Sequence, residues 1–468
     1  MTSAQTEISE VDSTARFPLS LLLAFAVLWA LAGGALALLN YAQTLDPALL
    51  ADCALLTYGR VRGMQETALV YGWAGNAGFA VALWLLGRLS GAPLRSLNWV
   101  VVGTLFWNFG VALAIGGIAG GHGTSIVLLR MPAYVQWFLL AAFAAIAVPG
   151  VLAWTGRAHK PMFAAQWYAV AALFLFPWLF SAAHVMLVVA PLRGVLQPVA
   201  EAWFAQSLWT LWMAPVALAA AYYLVPKITG RAIPSYDFAG LGFWTLLVIG
   251  AWTGGRHLIG GPVPAWIATI GIVACAVLTF HYLVVAINLS GAFRRSGFTL
   301  KFVAFGVAAY VLGGFADAVL SLRSVAEVTQ FTWMSQAQSQ LALLGAFSMI
   351  VTGAIYFLVP RIANQPWVST PLIRAHYAAA VIGVIALVGG LAAAGIVQGR
   401  DLNNAAVALV DIATHTRPWL LVAAAGQALL LVGNLVLAAH LVRLWTTKPE
   451  TPAAELIREP HAMEASAS

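Results

Sequence analysis

Six polar side chains stand at or near the ends of long apolar stretches: Gln65, Gln206, the adjacent pair Arg256-His257, Gln338 and Gln340. A carboxamide donates and accepts hydrogen bonds, a guanidinium carries a permanent charge, and an imidazole can relay a proton or bind a metal. Within a membrane such groups are costly and face the interior of a helix bundle, so their grouping marks a site. Three carboxylates, Glu66, Glu201 and Asp317, fall in the same zone. They are expected either to be solvated at the membrane interface or to act as counter-charges for Arg256. For the glutamines, ordinary interhelical hydrogen bonding is the competing role.

The elements that position these residues must cross a bilayer. The chain has 468 residues, of which 62% are hydrophobic and 8% charged, with a mean hydropathy of +0.88. A soluble domain carries about 25% charged residues. Apolar stretches of roughly 20 residues recur from end to end, each able to span about 30 Å of hydrocarbon as a helix. The pattern predicts an all-α polytopic membrane protein with twelve helices near 17–41, 66–87, 96–120, 132–155, 163–190, 199–225, 236–260, 265–291, 300–322, 333–359, 373–396 and 416–445. Residues 1–16 and 446–468 are polar and are expected to be disordered cytoplasmic tails flanking one domain at 17–445.

Lys and Arg are in excess on the side that carries both termini, which places the termini in the cytoplasm. The net charge of +7 is dispersed singly through loops, so it points to membrane orientation and not to nucleic acid. Cys53 and Cys275 fall in a polar connection and an apolar span, which suits neither a disulfide nor a cysteine metal site.

The chain also repeats itself. Ala221-Tyr-Tyr-Leu-Val-Pro-Lys227 ends the sixth helix, and Ile355-Tyr-Phe-Leu-Val-Pro-Arg361 ends the tenth in nearly the same words. A glutamine, Gln206 or Gln340, lies 21 residues before the cation in each copy. That separation is roughly 31 Å along a helix, so glutamine and cation lie near opposite membrane faces. The second helix repeats the layout with Gln65 and Arg88. Three four-helix modules follow, and Gln65, Gln206, Arg256, His257, Gln338 and Gln340 converge at one depth, toward the periplasmic side.

These words resemble subunit I of the heme-copper oxidases. Phe243-Trp244, then Trp252 and Arg256-His257-Leu258, is similar to the motif in which a Phe-Trp pair precedes two copper-binding histidines. Tyr222-Tyr-Leu-Val-Pro-Lys227 and Tyr356-Phe-Leu-Val-Pro-Arg361 are closest to the cbb-type members. The resemblance implies the twelve-helix subunit I fold, heme b and copper as cofactors, and membrane-anchored cytochrome c subunits as partners.

It also implies where the ligands would be. The heme-ligand positions fall on Gln65, Gln338 and Gln340, and the copper-ligand positions on Gln206, Arg256 and His257. The redox tyrosine position falls on Gly250. Five of the six ligand histidines are therefore replaced. A carboxamide is a poor ligand for heme iron or copper, and a guanidinium repels a copper ion. No cofactor is expected on this reading. The other histidines, His122, His159, His184, His281, His376, His415, His440 and His461, form no spaced ligand set, and the chain has no Cys-x-x-Cys-His for a c-type heme.

Three functions stay open at this point. The first is a degenerate oxidase homologue serving as a membrane subunit or scaffold of a respiratory complex, or as a conductor through the vacated cavity. Trp203, Trp209 and Trp212 are bulky enough to help fill such a space. The second is an active terminal oxidase or nitric oxide reductase with altered ligation. The third is an unrelated secondary transporter, which the module repeat alone would allow.

Overall fold

A computed structural model of the chain describes residues 12–91, 93–158, 161–294 and 297–447. Among the described residues, twelve helices are long and apolar enough to cross a membrane. They are α1 Arg16–Leu45, α2 Tyr58–Ser90, α3 Leu97–Ala119, α4 Ala133–Thr155, α5 Ala164–Val189, α6 Leu196–Thr229, α7 Phe238–Leu258, α8 Ala265–Arg294, α9 Phe298–Leu320, α10 Trp333–Ala363, α11 Thr370–Leu402 and α12 Leu409–Thr446. A short helix, Arg323–Thr329, precedes α10. Each expected helix is present, several extended at their ends by polar turns that a hydropathy reading cuts off. Residues 1–11 of the first expected tail and 448–468 of the second lie outside the described residues.

Burial separates the helices into two classes. The apolar stretch of α2 is 100% buried, that of α6 89% and that of α10 83%, whereas the other nine reach at most 50%. The helices that share the repeated layout therefore form the inner ring, and the rest present one face outward as lipid-exposed spans do. Each inner helix widens into a π-helical stretch close behind its glutamine: Ala68–Gly75 after Gln65, Leu208–Met213 after Gln206 and Leu341–Ser348 after Gln340. Such stretches gather at functional sites because they turn side chains out of the α-helical register. In α6 a local cause is visible, since Pro215 follows the stretch and cannot donate the next backbone hydrogen bond.

The opposite ends of the three helices agree residue by residue. Arg88, Lys227 and Arg361 are each followed three residues later by a left-handed residue that stops the helix: Gly91 at φ 60°, Gly230 at φ 65° and Asn364 at φ 57°. Four residues before each cation stands an aromatic ring, Trp84, Tyr223 or Phe357. The three rings meet edge to face, with centroids 5.4 Å apart for Trp84 and Tyr223, 6.0 Å for Trp84 and Phe357, and 6.2 Å for Tyr223 and Phe357. This contact closes the center of the inner ring at its cation end. Asp12 covers it, pairing with Arg88 Nη1 at 3.1 Å and accepting from Trp84 Nε1 at 3.0 Å. Asp12 belongs to the stretch expected to be a tail, yet it is buried, because it supplies the counter-charge for Arg88.

Candidate functional site

The glutamine end of the inner ring encloses a cavity of about 550 Å³. That volume lies in the range of small-molecule sites, ~300–1,000 Å³. Gln65, Gln206, Arg256, His257, Gln338 and Gln340 all line it, together with Glu66, Glu201 and Asp317. Its polar lining is concentrated where α2, α6 and α10 begin. Deeper along α6 and α10 the wall becomes apolar, with Met213, Ala214, Ala217, Ala346 and Phe347.

Backbone contact positions the Arg256-His257 pair. The end of α7, Gly250–Leu258, is wound as a 3-10 helix of nine residues, longer than is usual for that geometry. A methyl group on Gly254 would stand 2.5 Å from the Ala202 carbonyl oxygen in α6, and one on Gly255 2.8 Å from the Ile267 carbonyl oxygen in α8. Across the interface, a methyl group on Gly271 would collide with the Arg256 backbone nitrogen. Only glycine allows these approaches. Wedged between α6 and α8, the segment turns Arg256 and His257 into the cavity.

Arg256 is buried and paired. Its Nη2 lies 3.0 Å from Asp317 Oδ1 on α9, and its Nη1 lies 3.5 Å from Gln338 Oε1 on α10. Gln338 Nε2 donates to the same Asp317 oxygen at 2.5 Å, which closes a triangle across three helices. His257 faces Gln206 Oε1 at 3.2 Å through its Nε2. The imidazole and the carboxamide are thus hydrogen-bonded to each other across α6 and α7. Gln330 Nε2 holds the His257 carbonyl at 2.7 Å. Gln340 lines the cavity and is 8% exposed, yet its carboxamide oxygen has no hydrogen-bond partner among the described residues. The same holds for Arg256 Nε.

Two of the three carboxylates considered as counter-charges for Arg256 serve another purpose. Glu66 accepts from Arg130 Nε at 2.8 Å and from the Leu128 backbone N–H at 2.7 Å, and Glu201 accepts from the Val127 N–H at 2.8 Å. Both carboxylates fasten the 127–130 loop over the cavity rim, where backbone donors and Arg130 are nearer than Arg256. Asp317 alone pairs with Arg256. Arg130 and the cavity-lining Tyr282 and Tyr310 were not singled out from sequence; a loop arginine and tyrosines on apolar helices have no spacing that distinguishes them.

Gly250 is not in the cavity wall. Its carbonyl accepts from Thr210 Oγ1 at 3.2 Å and Thr253 Oγ1 at 2.8 Å, and a methyl group added to it would lie 3.2 Å from Thr210 Cβ. A larger side chain has no room there without movement of α6. Trp209 lines the cavity, Trp212 packs on Phe176 with centroids 4.6 Å apart, and Trp203 meets Trp178 at 5.7 Å.

Of the other described histidines, His122 is exposed in a loop and the rest bond elsewhere: His184 to Gln136, His281 to the Gly242 carbonyl and Tyr310, His376 to Tyr356, His415 to Asp401, and His440 to the Ser369 N–H. His159 and His461 lie outside the described residues. Among the described residues no three His, Cys, Asp or Glu side chains are grouped to hold a metal ion. The cavity offers carboxamides, a paired guanidinium and one imidazole already engaged, a donor set that does not fit axial ligation of heme iron or a copper site.

Residues 18–429 match the family model described as cytochrome c and quinol oxidase polypeptide I, and the chain belongs to that family. Cytochrome c oxidase subunit 1 of Rhodobacter capsulatus is 24% identical over 458 residues, covering 91% of this chain and 84% of the relative. The cbb3-type cytochrome c oxidase subunit CcoN1 of Stutzerimonas stutzeri is 23% identical over 92% of this chain and 94% of its own length. A heme-copper terminal oxidase solved as a dimer superimposes with a TM-score of 0.73 at 13% identity, covering 97% of this chain and 86% of that one. The fold is thus that of heme-copper oxidase subunit I, in a divergent multi-pass member of the family.

Proposed function

We propose that this chain is a degenerate homologue of cbb-type oxidase subunit I that performs no oxygen reduction and serves as a membrane subunit or scaffold of a respiratory complex. The observation that carries the reading is the Arg256–Asp317–Gln338 triangle, with its 3.0 Å ion pair, beside the His257–Gln206 bond. Gln65, Gln338 and Gln340 stand at the former heme-ligand positions, and Gln206, Arg256 and His257 at the former copper-ligand positions. Arg256 supplies a positive charge where a copper ion would need a neutral donor, and Asp317 stabilises that charge in place. Gly250, at the former redox-tyrosine position, is closed in by Thr210. No heme or copper is expected in the purified chain.

The orientation that fits the distribution of Lys and Arg puts both termini in the cytoplasm of a bacterial-type inner membrane, so the cavity faces the periplasmic side. Partners of the proposed subunit are the lipid bilayer and membrane-anchored cytochrome c or other respiratory subunits, with no nucleic acid. Conduction through the cavity is disfavoured by the Trp84–Tyr223–Phe357 contact that closes its far end. A second reading, an active terminal oxidase or nitric oxide reductase with altered ligation, is favoured by one retained histidine, His257, and by family membership. A reduced-minus-oxidised visible spectrum with iron and copper analysis of the purified protein separates the two. Stoichiometric b-type heme with copper would sink the degenerate reading.

A further inference from the structure

We infer that the cavity is a binding site for one neutral amphiphile whose polar head both donates and accepts hydrogen bonds, such as a phenol or alcohol on an apolar chain. The inference rests on the proposed absence of heme from this space and names what occupies it instead.

The charge count argues against an ion. Arg256 is neutralised by Asp317 at 3.0 Å and Arg130 by Glu66 at 2.8 Å. The remaining charges in the wall, Arg62 and Glu201, are of opposite sign. Arg62 is exposed and Glu201 is held at the rim by the Val127 N–H, so an ion deeper in the low-dielectric space would meet no unpaired charge, which is costly. Hydrogen bonding is what the wall has left to offer. The carboxamides of Gln65 and Gln340, on side chains 6% and 8% exposed, line the cavity, and each carries N–H donors and a C=O acceptor. A hydroxyl group both donates and accepts.

The depth and lining define the rest of the molecule. Gln206 and Ala217 both line the cavity, and eleven residues of helix separate them, about 16 Å. Over that distance the wall changes from carboxamides to Met213, Ala214, Ala217 and Phe347, which suits an apolar tail. Beyond it the Trp84, Tyr223 and Phe357 rings meet across the ring of helices and close the site at that end.

The test uses the full chain in lipid nanodiscs and three probes of one length: 4-octylphenol, the anion 4-octylbenzoate and the cation 4-octylbenzylammonium. Equilibrium dialysis against empty nanodiscs should give saturable binding of one 4-octylphenol per chain, with both charged probes at least tenfold weaker. Gln340→Leu should weaken the phenol at least fivefold while the circular dichroism melt is retained. Should that variant not fold, Ala217→Trp, which fills the apolar end, should abolish saturable binding. Phenol uptake no greater than into empty discs, equal affinity for a charged probe, or unchanged affinity in a folded Gln340→Leu protein would each overturn the inference. A visible spectrum of the same preparation keeps the two failures apart: stoichiometric heme overturns the functional reading, whereas heme-free protein that takes up no phenol overturns this inference alone.

Discussion

At the scale of single residues, the site is governed by the requirement that a guanidinium inside a membrane be neutralised. Removing one member of a buried ion pair strands the other charge and costs about 3–5 kcal/mol, while replacing both by apolar groups is often close to neutral. Arg256→Met and Asp317→Leu should therefore each lower the thermal midpoint in detergent strongly, and the double variant should recover most of the loss. Additive losses would mean that the 3.0 Å contact is not energetically coupled. Asp12, outside the spanning segments, behaves differently. Burial raises its carboxyl above the ordinary value of 3.8, in spite of Arg88 nearby. Because the folded state then holds this proton more tightly than the unfolded state, the contribution is largest below pH 3.8 and is lost as pH rises through the raised value. Asp12→Asn should flatten the pH dependence of the melt over that interval; an unchanged slope would remove Asp12 as its source.

At the scale of elements, the decisive structures are the 3-10 end of α7 and the π-helical stretches of the inner helices. Gly271→Ala should destabilise the protein and displace Arg256, because the added methyl group meets the Arg256 backbone nitrogen. Gly389→Ala is the control, since nothing lies within 4 Å of its added methyl group. There the better helix propensity of alanine should leave the melt unchanged or raise it by up to about 1 kcal/mol. A melt of Gly271→Ala equal to that of Gly389→Ala would show that the close approach of α7 and α8 is not needed.

The helices themselves were legible in the sequence, because a 30 Å hydrocarbon core sets their length and composition. The repeat was legible too, from the words that end α6 and α10. What could not be read was local winding: nothing in Gly250–Leu258 or after Gln65 states whether a turn closes at three, four or five residues. The partners of Glu66 and Glu201 were hidden for a related reason, since they are fixed by a loop from elsewhere in the chain, at residues 127–130. Nor was the aromatic contact apparent before the structure brought together three residues that each precede a cation by four positions.

At the scale of the whole molecule, three pseudo-equivalent helices enclose a space that is polar at one end and shut at the other. A closed floor makes a definite statement about transport: proteoliposomes containing the unaltered protein should hold a proton gradient as well as protein-free ones, and Tyr223→Ala, which opens the ring contact, should leak faster. Rapid proton loss through the unaltered protein would contradict the closed floor. The central question, however, is whether a member of this family with a carboxamide, guanidinium and imidazole lining contains redox metal. The most direct measurement is a reduced-minus-oxidised visible spectrum of the purified chain, with iron and copper quantified on the same sample. A degenerate site should give no heme difference band and far less than one iron or copper per chain; one or more b-type hemes with stoichiometric copper would contradict it.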